Sequence, residues 1–104
     1  MKVVWNKKAD LQWRQTTAYL AATFGKRTAE KFTERVKHWQ AVLMEQPYIG
    51  QVESLLAGRR NVYHSLVIHK NCKLVYRIDE QRQVIRIAAL WDTRREPRRQ
   101  AGEV

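Results

Sequence analysis

The side chains able to do chemistry concentrate in the second half of the chain: His64, Lys73 and Arg77, then the closing run Leu90-Trp91-Asp92-Thr93-Arg94-Arg95-Glu96-Pro97. Histidine changes charge near neutral pH, whereas lysine and arginine stay cationic, so the set is suited to meeting an anion. Asp92 can hydrogen-bond within its turn or pair with Arg94 or Arg95, and Pro97 fixes the exit of the chain. The two arginines are therefore expected on a short braced segment. Trp91 either plugs the end of a strand pattern or joins Tyr63 as a stacking platform for a base. Each residue also has a plainer reading. His64 alone reads as a core or surface histidine, and lysines and arginines alternating along a strand are ordinary solvated residues. Cys72 has no second cysteine with which to form a disulfide or a zinc site, and it reads as a small packing residue. No metal and no cofactor are expected.

Charge narrows the partners. The 104 residues carry 20 Lys+Arg against 10 Asp+Glu, a formal net charge of +10, so the field around a body of this size attracts polyanions. Nucleic acid, ribosome or an acidic protein come first. No apolar run approaches the roughly 18 to 20 residues needed to span a bilayer, so no membrane role is expected. The start, MKVVWNKKAD, is too short and too soon charged for a signal peptide. With one cysteine, the expected location is cytoplasmic.

These residues must be held by a fold, and the periodicities outline one. Val3-Val4-Trp5 is a short β-prone run. Ala9, Trp13, Leu20 and Phe24 lie near one helical stripe that Gly25 ends, and Ala29, Phe32, Val36, Trp39 and Leu43 mark a second helix from about Thr28 to Glu45. Trp13, Phe32 and Trp39 are expected in the core. Gln46-Pro47-Tyr48-Ile49-Gly50 breaks the pattern. Three β-like stretches follow, Asn61 to Ile68, Cys72 to Ile78 and Val84 to Trp91, with a weaker one at Gln51 to Leu56. Short connections make the three a meander. The expected class is α+β: a small twisted antiparallel sheet with an N-terminal edge strand and a two-helix hairpin on one face, in the order β-α-α-β-β-β. Residues 1–97 form one domain, and 98–104 form a short frayed tail.

The hairpin register decides which face His64 joins. A loop of His69-Lys70-Asn71 pairs Ile68 with Cys72 and puts His64 on the buried side with Leu74, Tyr76 and Ile78. A loop that also takes in Cys72 pairs Ile68 with Lys73 and places His64 beside Lys73 and Arg77, opposite a core of Tyr63, Val67, Leu74, Tyr76 and Ile78. The second register buries the aromatics and is preferred, although a β-bulge would restore the first.

The order Tyr63-His64-Ser65-Leu66-Val67-Ile68, Lys73-Leu74-Val75-Tyr76-Arg77-Ile78-Asp79, Val84 to Leu90 and Asp92-Thr93-Arg94-Arg95-Glu96-Pro97 resembles the RelE/ParE superfamily. These are toxins of type II toxin–antitoxin systems, of the plasmid-stabilisation kind. Trp5, Ala9, Phe24-Gly25, Ala29 with Phe32, and Pro47 with Gly50 extend the likeness over nearly the whole chain. The resemblance implies a growth-inhibitory protein held inactive by a cognate acidic antitoxin. RelE-like members cut mRNA on the ribosome with the 2′-hydroxyl as nucleophile. That chemistry needs a base, an acid and cations for the phosphorane-like charge. On that pattern His64 would be the base, and Lys73 with Arg94 the phosphate clamps. Leu66, however, stands where a second cation is usual, and no tyrosine or histidine follows Trp91. ParE-like members inhibit DNA gyrase and need no general acid or base. Tyr76-Arg77-Ile78-Asp79 and the ending Arg94-Arg95-Glu96-Pro97 lie closer to that pattern, although Tyr63-His64 replaces its tyrosine-arginine pair. The resemblance therefore favours gyrase over ribosome and mRNA, with Arg77, Arg94, Arg95, Tyr63 and Trp91 as candidates for meeting target or antitoxin. A non-enzymatic nucleic-acid-binding module, with the steep salt dependence of phosphate contacts, is a further alternative.

Overall fold

Strand β1 (Lys2–Trp5) runs into Asn6, whose side chain caps helix α1 (Lys7–Phe24). In this computed structural model, which describes residues 1–95 and 97–104, Asn6 Oδ1 accepts the Ala9 N–H at 2.8 Å while Nδ2 donates to Ala88 O at 3.2 Å. Glu96 of the closing motif lies outside the described residues. One asparagine thus satisfies an orphan amide at the helix start and ties that start to the sheet. Asn6→Ala is expected to cost about 1 to 2 kcal/mol. Urea melts with an unchanged slope and a lowered midpoint would show it.

Gly25 has φ +98°, a conformation that glycine adopts without a Cβ penalty, so helix α2 (Lys26–Glu45) begins at once and at an angle to α1. Its buried face is Ala29, Phe32, Val36 and Leu43, the stripe read from the periodicity, and Trp13 and Trp39 pack against the same core. Trp5 stacks on Trp13 with ring centroids 5.0 Å apart, and its indole N–H reaches Gln40 Oε1 at 2.9 Å. The helical hairpin is thereby fixed to β1.

Among the described residues β1, β2 (Gln51–Val52), β3 (Tyr63–His69), β4 (Cys72–Asp79) and β5 (Val84–Asp92) form a five-stranded sheet in the order β1-β5-β4-β3-β2. The architecture is the expected α+β one with the helical hairpin on one face. Two details differ. The edge strand β1 pairs with β5 in parallel, so the sheet is mixed. The weak Gln51 to Leu56 signal resolves into the two-residue β2 and a 3₁₀ turn at Ser54–Leu56.

The β3–β4 register is not the preferred one. His64 faces Tyr76, Leu66 faces Leu74 and Val67 faces Lys73, with a shift between Val67 and His69 that lets His69 pair with Cys72. The bulge at the hairpin restores the first register. The preference for the second assumed one buried face, whereas this sheet buries residues on both. Facing α1 and α2 are Ile68, Leu74, Tyr76, Ile85, Ile87 and Leu90. On the reverse, Val75, Ala89 and Trp91 pack with Leu56, Tyr63, Ala101 and Val104. A second bulge between Val75 and Tyr76 skips Ala88 of β5.

The reverse core has a consequence for the tail. Most of the tail expected to fray, 98–104, belongs to helix α3 (Pro97–Gly102), which lies against the 3₁₀ turn. Gln100 Nε2 donates to Asp92 O at 2.9 Å and the Arg59 guanidinium to Ala101 O at 2.7 Å. Ala101 and Val104 supply the apolar contact that the short helix needs. Among the described residues no helix is long and apolar enough to cross a membrane.

Candidate anion-binding site

His64 sits on the helix side of β3, half-buried. Its ring stacks on Tyr76 at 5.6 Å and meets the edge of Tyr48 at 5.8 Å. Nδ1 lies 3.1 Å from Gly50 O, and a carbonyl only accepts, so the hydrogen bond assigns the neutral ring's proton to Nδ1 and leaves Nε2 as its open nitrogen.

Lys73 projects from the reverse face. Its ammonium is paired and hydrogen-bonded to the Glu53 carboxylate, and it lies 5.2 Å from the centroid of the Trp91 ring. The Glu53 side chain is only 5% exposed and that of Lys73 19%. Glu53 also accepts the Leu55 N–H at 3.1 Å, which caps the 3₁₀ turn. Burial pushes the Glu53 carboxyl up. The Lys73 ammonium, the Leu55 amide and Ser65 together outweigh burial and hold it below the ordinary glutamate range. Glu53 was not singled out from the sequence. Its only local signal is a carboxylate just before Ser54-Leu55-Leu56, the position of a turn cap, and its ion pair depends on strand placement.

Arg94 lies beyond the end of β5, in a turn organised by Asp92. Its Nε donates to Asp92 Oδ1 at 3.2 Å, its Nη2 to Oδ2 at 3.1 Å, and its backbone N–H to Oδ1 at 2.9 Å. The Thr93 N–H reaches Asn71 O at 3.0 Å, joining this turn to the β3–β4 hairpin. The Arg94 side-chain hydrogen bond, helped by its amide and the charges of Arg94 and Arg95, outweighs burial and holds Asp92 below the usual carboxylate range. The same pairing raises the Arg94 guanidinium. Arg95 is exposed, and with Arg99, Gln100 and Glu103 it lines a depression of about 190 Å³.

The candidate residues therefore fall into separate places. His64 and Lys73 are on opposite faces of the sheet, and Arg94 is clamped at its end. Arg77 shares the reverse face with Tyr63, directly across the β3–β4 ladder, and pairs across β5 with Arg86. Trp91 is 1% exposed, covered within the reverse core, where half-buried Tyr63 packs against the same cluster. With α3 docked, Trp91 is a plug and offers no open ring face. Cys72 is likewise buried, and burial together with the Asp92 charge pushes its thiol up to about 12, so it stays protonated and inert. Among the described residues no cluster of histidine, cysteine and carboxylates is placed to hold a metal.

The family profile of the ParE toxin of type II toxin–antitoxin systems, parDE, matches residues 3–97. The chain belongs to the ParE toxin family. Solved structures agree at the level of the fold. A chain of the chromosomal ParDE system from P. aeruginosa superposes with a TM-score of 0.70 at 14% identity, covering 88% of this chain and 95% of that one. The YoeB dimer from Staphylococcus aureus gives 0.60 at 18% identity, covering 88% and 94%. The isolated E. coli RelE toxin gives 0.57 at 16% identity, covering 91% and 86%. Among curated proteins nothing matches. This ParE-family chain is thus a toxin of the ParE/RelE superfamily, and membership implies a cognate antitoxin.

Proposed function

We propose that this toxin acts by binding DNA gyrase, as ParE-like proteins do, and that a cognate acidic antitoxin neutralises it. The observation that supports the reading is the dispersal of the trio that the ribonuclease pattern would need. His64 lies on the helix side, Lys73 is tied to Glu53 on the reverse side, and Arg94 is gripped by Asp92. A base and its phosphate clamps must converge on one phosphodiester, whereas here Lys73 lies across the sheet from His64 and is held by Glu53, and Arg94 is held by Asp92 beyond the end of β5. Binding to a protein target needs only a surface, and the exposed Arg94 and Arg95 turn, held rigid by Asp92 and Asn71, presents one.

Ribosome-dependent mRNA cleavage has one observation in its favour. Glu53 and Lys73 place a carboxylate and an ammonium together on one face, which is an acid–base pair in chemical type, although Trp91 and α3 pack on that face. Purified protein added to a gyrase supercoiling reaction and to a translating extract separates the two. The gyrase reading expects lost supercoiling with intact mRNA, and loss of inhibition in an Arg94→Ala/Arg95→Ala variant. Normal supercoiling with mRNA cut only in the presence of ribosomes, and spared by Glu53→Gln, would replace it with the second.

A further inference from the structure

A cleft of about 380 Å³ opens at the end of the β3–β4 pair, away from the Arg94 turn and from the Lys73–Glu53 pair. The ladder between these strands starts at Tyr63 and Arg77, so Ile78 runs past the beginning of β3, and the segment 60–62 passes beside it. Tyr48, Arg60, Asn61, Val62, His64 and Arg77 line the space.

Arg60 and Arg77, like several exposed arginines elsewhere, make no ion pair among the described residues. What distinguishes them is that they line one cleft with no carboxylate among its described lining residues, whereas the depression beside Arg95 and Arg99 has Glu103 in its wall. Two guanidiniums with no carboxylate partner on one concave surface are suited to an oxyanion, which can accept bidentate hydrogen bonds from such groups. The Glu80 carboxylate accepts the Tyr48 hydroxyl and pairs with neither arginine. His64 has Nδ1 committed to Gly50 O, so Nε2 is the nitrogen left for a ligand, and the Asn61 amide adds a further polar group. The remaining wall is apolar and open to solvent: the Tyr48 ring is 60% exposed and Val62 63%.

We propose that this cleft binds one nucleotide unit, with its phosphate between Arg60 and Arg77 and its base against Tyr48 and Val62. A lone carboxylate would answer the guanidiniums but leave the apolar wall and most of the volume unfilled. The space falls within the roughly 300 to 1,000 Å³ of small-molecule sites, and a phosphate with a flat base supplies both chemistries the cleft displays. Free nucleotides and single-stranded nucleic acid share that chemistry. The proposal does not depend on which target the toxin inhibits.

The test is fluorescence anisotropy with labelled hexauridylate, competed by uridine 5′-monophosphate, uridine, inorganic phosphate and a hexaglutamate peptide. Arg77→Ala and Arg60→Ala are each expected to weaken binding about tenfold, the scale of one charge-assisted hydrogen-bonded contact. Arg77→Lys keeps the charge and recovers only part of the loss. Arg14→Ala removes the same charge from the exposed surface of α1 and should change affinity less than about twofold, which excludes bulk attraction to a +10 protein. Displacement by uridine 5′-monophosphate but not by uridine identifies a free nucleotide as sufficient. Arg77-dependent binding of the hexamer alone identifies the nucleic-acid chain. Equal losses in Arg14→Ala and Arg77→Ala overturn the proposal, as does an Arg77-dependent preference for hexaglutamate.

Discussion

Gly50→Ala should destabilise the protein by about 3 to 4 kcal/mol, far more than a surface glycine replacement, because the added methyl has no place to go. A Cβ at this position would stand 2.6 Å from the Tyr76 hydroxyl oxygen and 2.7 Å from the backbone oxygen of Ser65. Neither neighbour can give way cheaply. Tyr76 is fully buried, and its hydroxyl donates to Pro47 O at 2.8 Å while accepting the Gly50 N–H at 3.0 Å. Ser65 O belongs to β3, where Ser65 pairs with Gln51 of the two-residue β2. Accommodating the methyl means parting β2 from β3 or breaking both tyrosine bonds, and it also disturbs the Gly50 carbonyl that holds His64. Gly102→Ala is the control. It meets nothing within 4 Å at the end of α3 and should be neutral or stabilising by up to about 1 kcal/mol. Equilibrium denaturation of both variants decides the matter, and a Gly50→Ala protein within about 1 kcal/mol of the parent would mean that the Tyr76 anchor is looser than its two bonds indicate.

Gly50 also marks the border between what was legible in the sequence and what was not. Its position after Pro47 announced a chain break, but close approach to Tyr76, 26 residues away, is a tertiary fact with no local trace. The same division runs through the molecule. The α2 stripe and the three long strands were readable because burial on one face imposes a period on residue type. The parallel β1–β5 pairing was not, since a four-residue run states its strand character but not its partner. The face of His64 is not legible, because one bulged residue at the hairpin inverts every side chain beyond it, and residue type along β3 gives both faces enough apolar groups to satisfy either register. The docking of the tail leaves little trace in the sequence, because its apolar contacts, Ala101 and Val104, acquire meaning only when Trp91 and Leu56 lie beneath them. For the candidate site, the bracing of Arg94 by Asp92 was within reach of sequence because the partners are two residues apart. Glu53 was out of reach because its partner is 20 residues away.

Lys73→Met should cost about 3 kcal/mol at neutral pH, and the loss should fade in acid. The variant keeps the length and apolar character of the stem over Trp91 but removes the ammonium, leaving the Glu53 carboxylate 5% exposed with only the Leu55 amide and Ser65 to answer it. The value sits at the low end for breaking a buried pair because Lys73 keeps 19% of its side chain in water. In the parent the folded Glu53 carboxyl titrates below its unfolded value, so the pair's stabilisation is complete above the ordinary glutamate range near pH 4.3 and is lost as pH falls through the folded value. In Lys73→Met burial is no longer opposed by the ammonium, so the carboxyl gains its proton more readily and the uncompensated charge disappears on acidification. Stability curves of parent and variant should therefore converge below about pH 4 and lie farthest apart near pH 7. Adding Glu53→Gln to Lys73→Met removes the stranded charge while keeping an acceptor for Leu55, and should recover part of the loss at pH 7 without changing the acid limb. A constant gap between parent and Lys73→Met across pH would assign the cost to packing over Trp91 and not to the ion pair. A double variant no more stable than the single one would point the same way, because a stranded carboxylate is the only element that the glutamine removes.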